Sequence, residues 1–590
     1  MIKNLKGLAP KQVWINAGII ASSAFAIRLV YLHGFIRSPF YSFLFLDPKW
    51  HDEWAREIAS GNWVGNDVFF RAPLYPYFLA VIYQITGGSL LAARLVQFSL
   101  GAISAALVYL IGRKLFQREL LGIISGLVFG FYGTLIYFEG ELLMPSLIVF
   151  LNLMGLLFLY NALEKESPWY FSASGLVFGL SAITRPDVML PVIGLTLWIF
   201  MDRKKQLSKV VLRKAMPFFL SAALFPAAVT IRNGIVGGDY VFISSQGGIN
   251  FFIGNNQDAD GKSSVTPGNI YAAPGDKYRD SVWYSSVVIA EQIAGRKLKP
   301  SEVSRFWYEL AFKWMVNNPS KAALLLERKL YYLFHGHEIP SNNVAYFARN
   351  YSMVLSLLLW DRVIAFPAGV VIPLSVMGMI LVWPERRKWA PLYIYVALYG
   401  VAIVMYFVVA RYRMPLVGPF ILFAVHGIRQ MGDMIVEKRW KKLLLVFPVL
   451  GVMIFLSNVN AFDVRNDYLA RPLINVGNYY NQRGQLEKAE YYYNEALRLY
   501  PEHYMALENL AILAVKYGDY IKAEQLYRRA IIQLPNDPEL HNGLGLVLEL
   551  EENLAEAEIE YTRALLIDPQ YGLASSNLAR IREKLSESQH

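Results

Sequence analysis

Between residues 14 and 458 the sequence passes through eleven apolar stretches, near 14–34, 91–111, 120–138, 142–161, 170–184, 188–201, 215–231, 362–383, 390–409, 414–428 and 442–458. Set against a hydrocarbon core about 30 Å thick, runs of this length predict membrane-spanning helices, although several are short and leave their ends open. The chain therefore reads as all-α. A polytopic membrane domain occupies residues 1–461, and a polar helical segment follows over 471–590. Composition agrees: 55 % of the 590 residues are hydrophobic and 14 % aromatic, too apolar for an ordinary soluble protein.

The formal charge of +11 raises the question of nucleic acid, but the basic residues sit in short links between apolar runs. Arg203-Lys204-Lys205, Arg386-Arg387-Lys388 and Lys438-Arg439 read as positive-inside signals and not as a nucleic-acid patch. With eleven spans, the links at 112–118, 203–214, 384–388 and 429–442 fall on the side of the N-terminus. Loops 35–90, 138–141, 185–187, 232–361 and 410–413 then fall on the opposite, extracytoplasmic side, and so does the C-terminus. One span more or fewer would reverse that last placement. Lys3, Lys6 and Lys11 precede the first apolar run without a clear small-residue cleavage site, which predicts a retained helix. No cysteine is present, so disulfides, thiolate metal sites and cysteine nucleophiles are excluded.

From about residue 471 the pattern repeats. Ala489, Ala523 and Ala557 are 34 apart, as are Gly477, Ala511 and Gly545; Tyr493, Tyr527 and Tyr561; Ala496, Ala530 and Ala564; and Pro501, Pro535 and Pro569. Small residues at helix crossings and a proline closing each 34-residue unit resemble the tetratricopeptide repeat, which stacks helix pairs into a superhelix with a concave face. Residues 571–585 read as a capping helix. Gly484 and Gly518 occupy the turn position, where the third unit has Glu552 instead. Tyr480, Tyr492, Tyr500 and Tyr517 are open to two readings, a peptide groove or the commoner repeat core, and no ligand is assigned to them.

Residues 46–80, LDPKWHDEWAREIASGNWVGNDVFFRAPLYPYFLA, place Asp47, Asp52, Glu53 and Glu57 and many aromatics just beyond the first apolar run. Asp47-Pro48 has the form of a helix cap followed by proline. Asp52, Glu53 and Glu57 fit the solvated face of a short amphipathic helix whose Trp50, Trp54 and Ile58 form an apolar face. Arg71-Ala72-Pro73-Leu74-Tyr75-Pro76 reads as a structured turn.

Several further pieces carry a family resemblance: "APLYPYFLAVIYQITG", "ARLVQFSLGAISAALVYLIGRKLF", "YFEGELLMPSL" (137–147), "GLSAITRPDVMLP" (179–191), "IRNGIVGGDYVFISSQGGINFFIGNN" (231–256) and "ARYRMPLVGP" (410–419). Together, over roughly residues 14–430, they resemble the GT-C membrane glycosyltransferases. The likeness is greatest to the bacterial branch related to protein mannosyltransferases and the lipid A aminoarabinose transferase. The tetratricopeptide tail is similar, more loosely, to that of eukaryotic membrane O-mannosyltransferases.

The resemblance implies a sugar carried on a polyprenyl phosphate and transferred to an acceptor outside the cytoplasm. Such chemistry needs a carboxylate to deprotonate the acceptor hydroxyl. It also needs cations for the leaving phosphate. By resemblance Asp47 takes the base position, four residues before His51, with Asp52 as the rival. Glu139 and Glu141 are either interfacial acids or a sugar-orienting or metal-binding pair, Glu141 preferred because it begins an apolar span where a charge is unfavourable unless used. His335, His337 and Glu338 in "FHGHEIPSNN" offer a loose divalent-metal set, for which a polar loop is an equal account. Arg411, Arg413, Arg232 and Arg185 fall at outer ends of spans and suit phosphate. Snorkelling is the competing account, and Arg71 is read as structural. No Walker A pattern, dinucleotide fingerprint or nucleophile elbow is seen, which argues against a soluble nucleotide-sugar donor.

The expected protein is a multi-pass membrane glycosyltransferase that uses a polyprenyl-phosphate-linked sugar and a protein or glycan acceptor, with no cofactor required and a divalent metal as the one candidate. The repeats would recruit the acceptor or a partner. An oligosaccharide ligase or polymerase using a lipid-pyrophosphate donor, and a membrane scaffold without activity, are the alternatives.

Overall fold

The structure, a computed structural model, describes residues 10–201, 211–262, 282–462, 470–569 and 571–587. The basic cluster Arg203-Lys204-Lys205 and the N-terminal Lys3 and Lys6 lie outside the described residues. The chain divides into two units: Met1–Ser264 with Lys299–Phe462, and Val265–Leu298 with Asp463–His590.

Among the described residues of the first unit, every element of three or more residues is helical. Among the described residues, six helical segments are long and apolar enough to cross a membrane: Lys11–Phe35, Leu90–Phe116, Pro145–Lys165, Val211–Gly237, Ala368–Met405 and Trp440–Asn458. Glu119–Gly130 with Gly133–Gly140 makes a seventh if the 47° bend between them is counted within one span. The expected eleven spans are thus not reproduced by length. Near 170–184 and 188–201 the chain forms the helices Pro168–Ala182 and Met189–Phe200, of 15 and 12 residues. At 1.5 Å per residue, 12 residues reach only about 18 Å.

Small residues let these helices approach closely, as packing in an apolar solvent requires. Pro168–Ala182 lies on Met216–Gly237, where a side chain at Gly175 would collide with the Phe218 carbonyl and one at Gly179 would lie 2.7 Å from the Ala222 carbonyl oxygen. Ala368–Val382 meets Ala410–Val436 in the same way, with Gly378 against the Phe423 carbonyl and Gly427 against Gly378.

The helix Leu46–Ala59 is amphipathic, but its buried face is Pro48, His51, Ala55 and Ile58, with Trp50 and Trp54 only half-buried beside it. Ala55 and Ile58 share a core with Tyr75, Leu79 and Tyr83 of Leu74–Thr86. Trp50 packs on Trp54 at 4.8 Å between ring centroids, and Trp54 continues onto Phe69 at 5.6 Å. Residues 46–80 are therefore folded onto the helical unit.

In the second unit three helix pairs follow the 34-residue register: Ala470–Gln482 with Leu486–Leu499, Tyr504–Tyr517 with Tyr520–Gln533, and Pro538–Leu550 with Leu554–Ile567, followed by Gly572–Glu587. The repeated columns are the core. Ala489, Tyr493, Ala511, Ala523, Ala557 and Tyr561 are all buried, and the Tyr561 ring lies 2.8 Å from where a side chain on Gly545 would begin. Gly484, Gly518 and Glu552 share the left-handed turn conformation, with φ of 71°, 78° and 64°. The third turn thus keeps its shape without glycine.

Candidate active site

Asp47 is not a helix cap. The helix begins one residue earlier, at Leu46, and Phe45 occupies the capping position without a side-chain bond. Leu46 itself has φ 50°, a left-handed conformation that is unfavourable by about 1–2 kcal/mol for a residue with a Cβ. Backbone strain of this kind tends to collect at functional sites.

The Asp47 carboxylate is gripped by three donors from distant parts of the chain. Arg71 Nη1 donates to Oδ1 at 2.5 Å, Arg411 Nη1 to Oδ2 at 2.5 Å, and Asn342 Nδ2 to Oδ2 at 3.2 Å. Its side chain keeps 17 % of its surface exposed. Burial works against the charge, but the guanidiniums of Arg71 and Arg411 hold the carboxyl well below its ordinary value. Aromatic rings steady both arginines. Arg71 stands 4.5 Å over Trp50, and Arg411 stands 5.1 Å from the ring centre of Tyr412.

Arg185 joins the same neighbourhood through Tyr412, which it covers at 3.6 Å, while its Nε donates to Asp187 at 2.7 Å. His51, one helical turn after Asp47, is buried, and neither ring nitrogen has a hydrogen-bond partner among the described residues. Burial, then the nearby Arg71 charge, pushes its pKa down to about 3, so the imidazole is neutral.

The other expected site residues lie elsewhere. Asp52 accepts from Arg56 Nε at 2.8 Å and from the Tyr83 hydroxyl at 2.6 Å, a local arrangement separate from Asp47's partners. Arg413 is buried, donating to Glu338 Oε2 at 2.6 Å and to the carbonyl oxygens of Tyr332, His335 and His337. Arg232 caps the carbonyls of Val64 and Asp67 and covers Phe69 at 3.8 Å, so it ties the 62–70 loop to the helix Met216–Gly237. Glu139 accepts from Arg28 Nη2 at 2.8 Å in a buried ion pair. Glu141 is also buried, and its Oε1 has no hydrogen-bond partner among the described residues.

The expected metal set does not assemble. No group of three or more His, Asp or Glu among the described residues is arranged to hold a metal ion. Glu338 is engaged by Arg413 and by the Thr134 hydroxyl at 2.8 Å. The His335 ring faces the Val459 carbonyl on one side at 3.1 Å and accepts from the His337 amide on the other at 3.1 Å. The segment is a structural crossing point.

Arg71 and Asn342 are the site residues that sequence reasoning did not select. Arg71 follows the aromatic pair Phe69-Phe70 in a turn, which reads as structure. Asn342 sits in a polar loop 295 positions from Asp47, and no local pattern marks it.

Comparison with known proteins finds matches to both parts of the chain. Residues 71–230 match the family model of dolichyl-phosphate-mannose-protein mannosyltransferases. Residues 468–531 and 509–572 match tetratricopeptide-repeat models. Among curated proteins, the human tetratricopeptide repeat protein 7B is 34 % identical over 86 residues, which is 15 % of this chain and 10 % of that protein. The chain thus spans about a tenth of that relative's length. Among solved structures, the first tetratricopeptide domain of Spaghetti (RPAP3) bound to an HSP90 peptide is 22 % identical with a TM-score of 0.20. It covers 20 % of this chain and 93 % of its own. The APC/C hetero-tetramer Cut9-Hcn1 is 12 % identical with a TM-score of 0.21, covering 92 % and 98 %.

Proposed function

We propose that this protein is a membrane glycosyltransferase that moves a sugar from a polyprenyl-phosphate donor to an acceptor on the extracytoplasmic side. The observation that carries the reading is the contact of Asp47 with both Arg71 and Arg411. A carboxylate fit to act as base and cations fit to hold a phosphate meet at one point. The match of residues 71–230 to mannosyltransferases supports the transferase part of the reading.

In the reaction, Asp47 accepts the proton of the acceptor hydroxyl as its oxygen attacks the anomeric carbon. The bond from that carbon to the phosphate oxygen breaks, and the electron pair leaves on polyprenyl phosphate. Arg411, Arg71 and Arg185 neutralise the charge that grows there. Direct displacement inverts the anomeric centre. The repeats hold the acceptor or a partner protein on their concave face.

The full-length protein in liposomes, given a polyprenyl-phosphate mannose with a labelled sugar, should release polyprenyl phosphate and label an acceptor. Arg411→Ala should abolish both. Turnover only of pyrophosphate-linked glycans would make the protein a ligase or polymerase, and no turnover of any lipid-linked sugar would make it a scaffold. Orientation is tested separately. A cysteine at Ser575 should react with an impermeant thiol reagent on intact cells while one at Arg387 should not, and the opposite labelling would invert the topology.

A further inference from the structure

We propose that Asp47 is held inactive by the guanidiniums that receive the donor phosphate, and that phosphate binding releases it to act as base. This rests on the reading of Asp47 as base and of the donor as a polyprenyl phosphate. In the structure both carboxylate oxygens point into donors. Oδ1 takes Arg71, and Oδ2 takes Arg411 and Asn342. A carboxylate so engaged has its lone pairs directed at cations and not at an acceptor hydroxyl. The same guanidiniums hold the carboxyl below its ordinary value, which weakens it as a base.

The same contacts describe how a phosphate binds. Guanidinium presents a planar fork that suits the oxygens of a carboxylate or a phosphate equally. Asp47 therefore stands where the donor's phosphate would stand. The three charged groups sum to one excess positive charge, which a singly charged phosphodiester neutralises. The Nε atoms of Arg71 and Arg411 are buried and have no hydrogen-bond partner among the described residues, so each arginine has a donor in reserve. Trp50 and Tyr412 hold the two guanidiniums in place. The part free to move is then the short Asp47 side chain, which can rotate away when a phosphate takes its partners. The titratable and charged groups around Asp47 are Arg71, Arg411 and His51, with the Arg185–Asp187 pair beyond Tyr412. His51 is neutral, so the exchange of anions on the two arginines governs how readily Asp47 binds a proton.

The test measures binding and turnover on the full-length protein, with a polyprenyl monophosphate as the binding probe. Asp47→Asn removes the competing anion and should bind the probe about tenfold more tightly than the unaltered protein, although its transfer activity is lost. Unchanged or weaker binding by Asp47→Asn, with activity lost, would overturn the release while leaving Asp47 as base. Normal activity in Asp47→Asn would overturn the base assignment itself.

A second measurement needs no variant. The pH dependence of kcat/KM reports the free enzyme and that of kcat the donor complex. Release raises the Asp47 pKa in the complex, so the acid limb of kcat should lie at higher pH than that of kcat/KM. Coincident limbs would overturn the proposal even if Asp47→Asn failed to fold.

Discussion

Arg413 donates to Glu338 at 2.6 Å, and the two side chains keep only 4 % and 1 % of their surface. Two residues earlier on the same helix, Arg411 reaches Asp47 instead. One arginine of the Arg-Tyr-Arg motif therefore holds the protein together and the other faces the candidate site.

Loss of Arg413 should act on stability. Removing one partner of a buried ion pair leaves the other charge uncompensated, at a cost of about 3–5 kcal/mol. Thermal unfolding of Arg413→Met in detergent should show that loss, and the double variant with Glu338→Leu should recover much of it. A normal midpoint with a raised KM for the donor would instead make Arg413 a phosphate ligand.

Asp47 and Asp52 should separate cleanly. Asp47→Asn keeps the side-chain shape and should lower transfer at least ~100-fold, the scale of losing a general base. Asp52→Asn breaks only the contacts to Arg56 and Tyr83 and should leave most activity. Initial rates of donor consumption decide, and the reverse order would give the role to Asp52.

The repeats contain a pH-sensitive contact. His541 faces acceptors on both ring nitrogens, Glu560 Oε2 at 2.6 Å and the Pro535 carbonyl at 3.0 Å, an arrangement that suits the doubly protonated ring. Burial opposes the charge, but the Glu560 carboxylate and the Pro535 carbonyl raise the pKa above its ordinary 6.5. A raised folded-state pKa means stability fully present below about pH 6.5, lost as pH rises through the folded value. Hydrogen exchange in Pro538–Leu550 should accelerate from pH 6 to 9 beyond its intrinsic dependence, and His541→Gln should remove that excess.

Glu552 occupies a glycine conformation, with φ 64°. Glu552→Gly should stabilise the third repeat by about 1 kcal/mol, measured by hydrogen exchange of Leu554–Ile567. Destabilisation would mean that the Glu552 side chain supports the turn.

The repeats should contribute recognition and not chemistry. A protein ending at residue 462 should still hydrolyse a polyprenyl-phosphate sugar or transfer to a small soluble acceptor, while transfer to the natural acceptor falls. Loss of donor turnover in a truncated protein with a normal unfolding midpoint would place part of the active site in the repeats.

The sequence by itself determined the helical class, the apolar runs and the repeat register, because each is a local or periodic property. An amphipathic helix carries its buried face in its own spacing, and three 34-residue units declare their shared core column by column. Asp47 was legible as an acid placed just beyond an apolar run. The partners of Asp47 were decided only by the tertiary structure. Arg411 and Arg413 look equivalent in the sequence, yet at about 100° per residue they point to nearly opposite sides of their helix. Which one meets Asp47 depends on how that helix is rotated against its neighbours. Arg71 read as a turn residue until the fold brought it to the carboxylate, and Asn342 arrives from 295 positions away. The same long-range packing withdrew the metal reading, since Glu338, in the loop after Pro319–Phe334, is matched to Arg413 on the helix Ala410–Val436. A charge in a sequence shows what chemistry is present, and only the folding of distant segments onto it settles which opposite charge it meets.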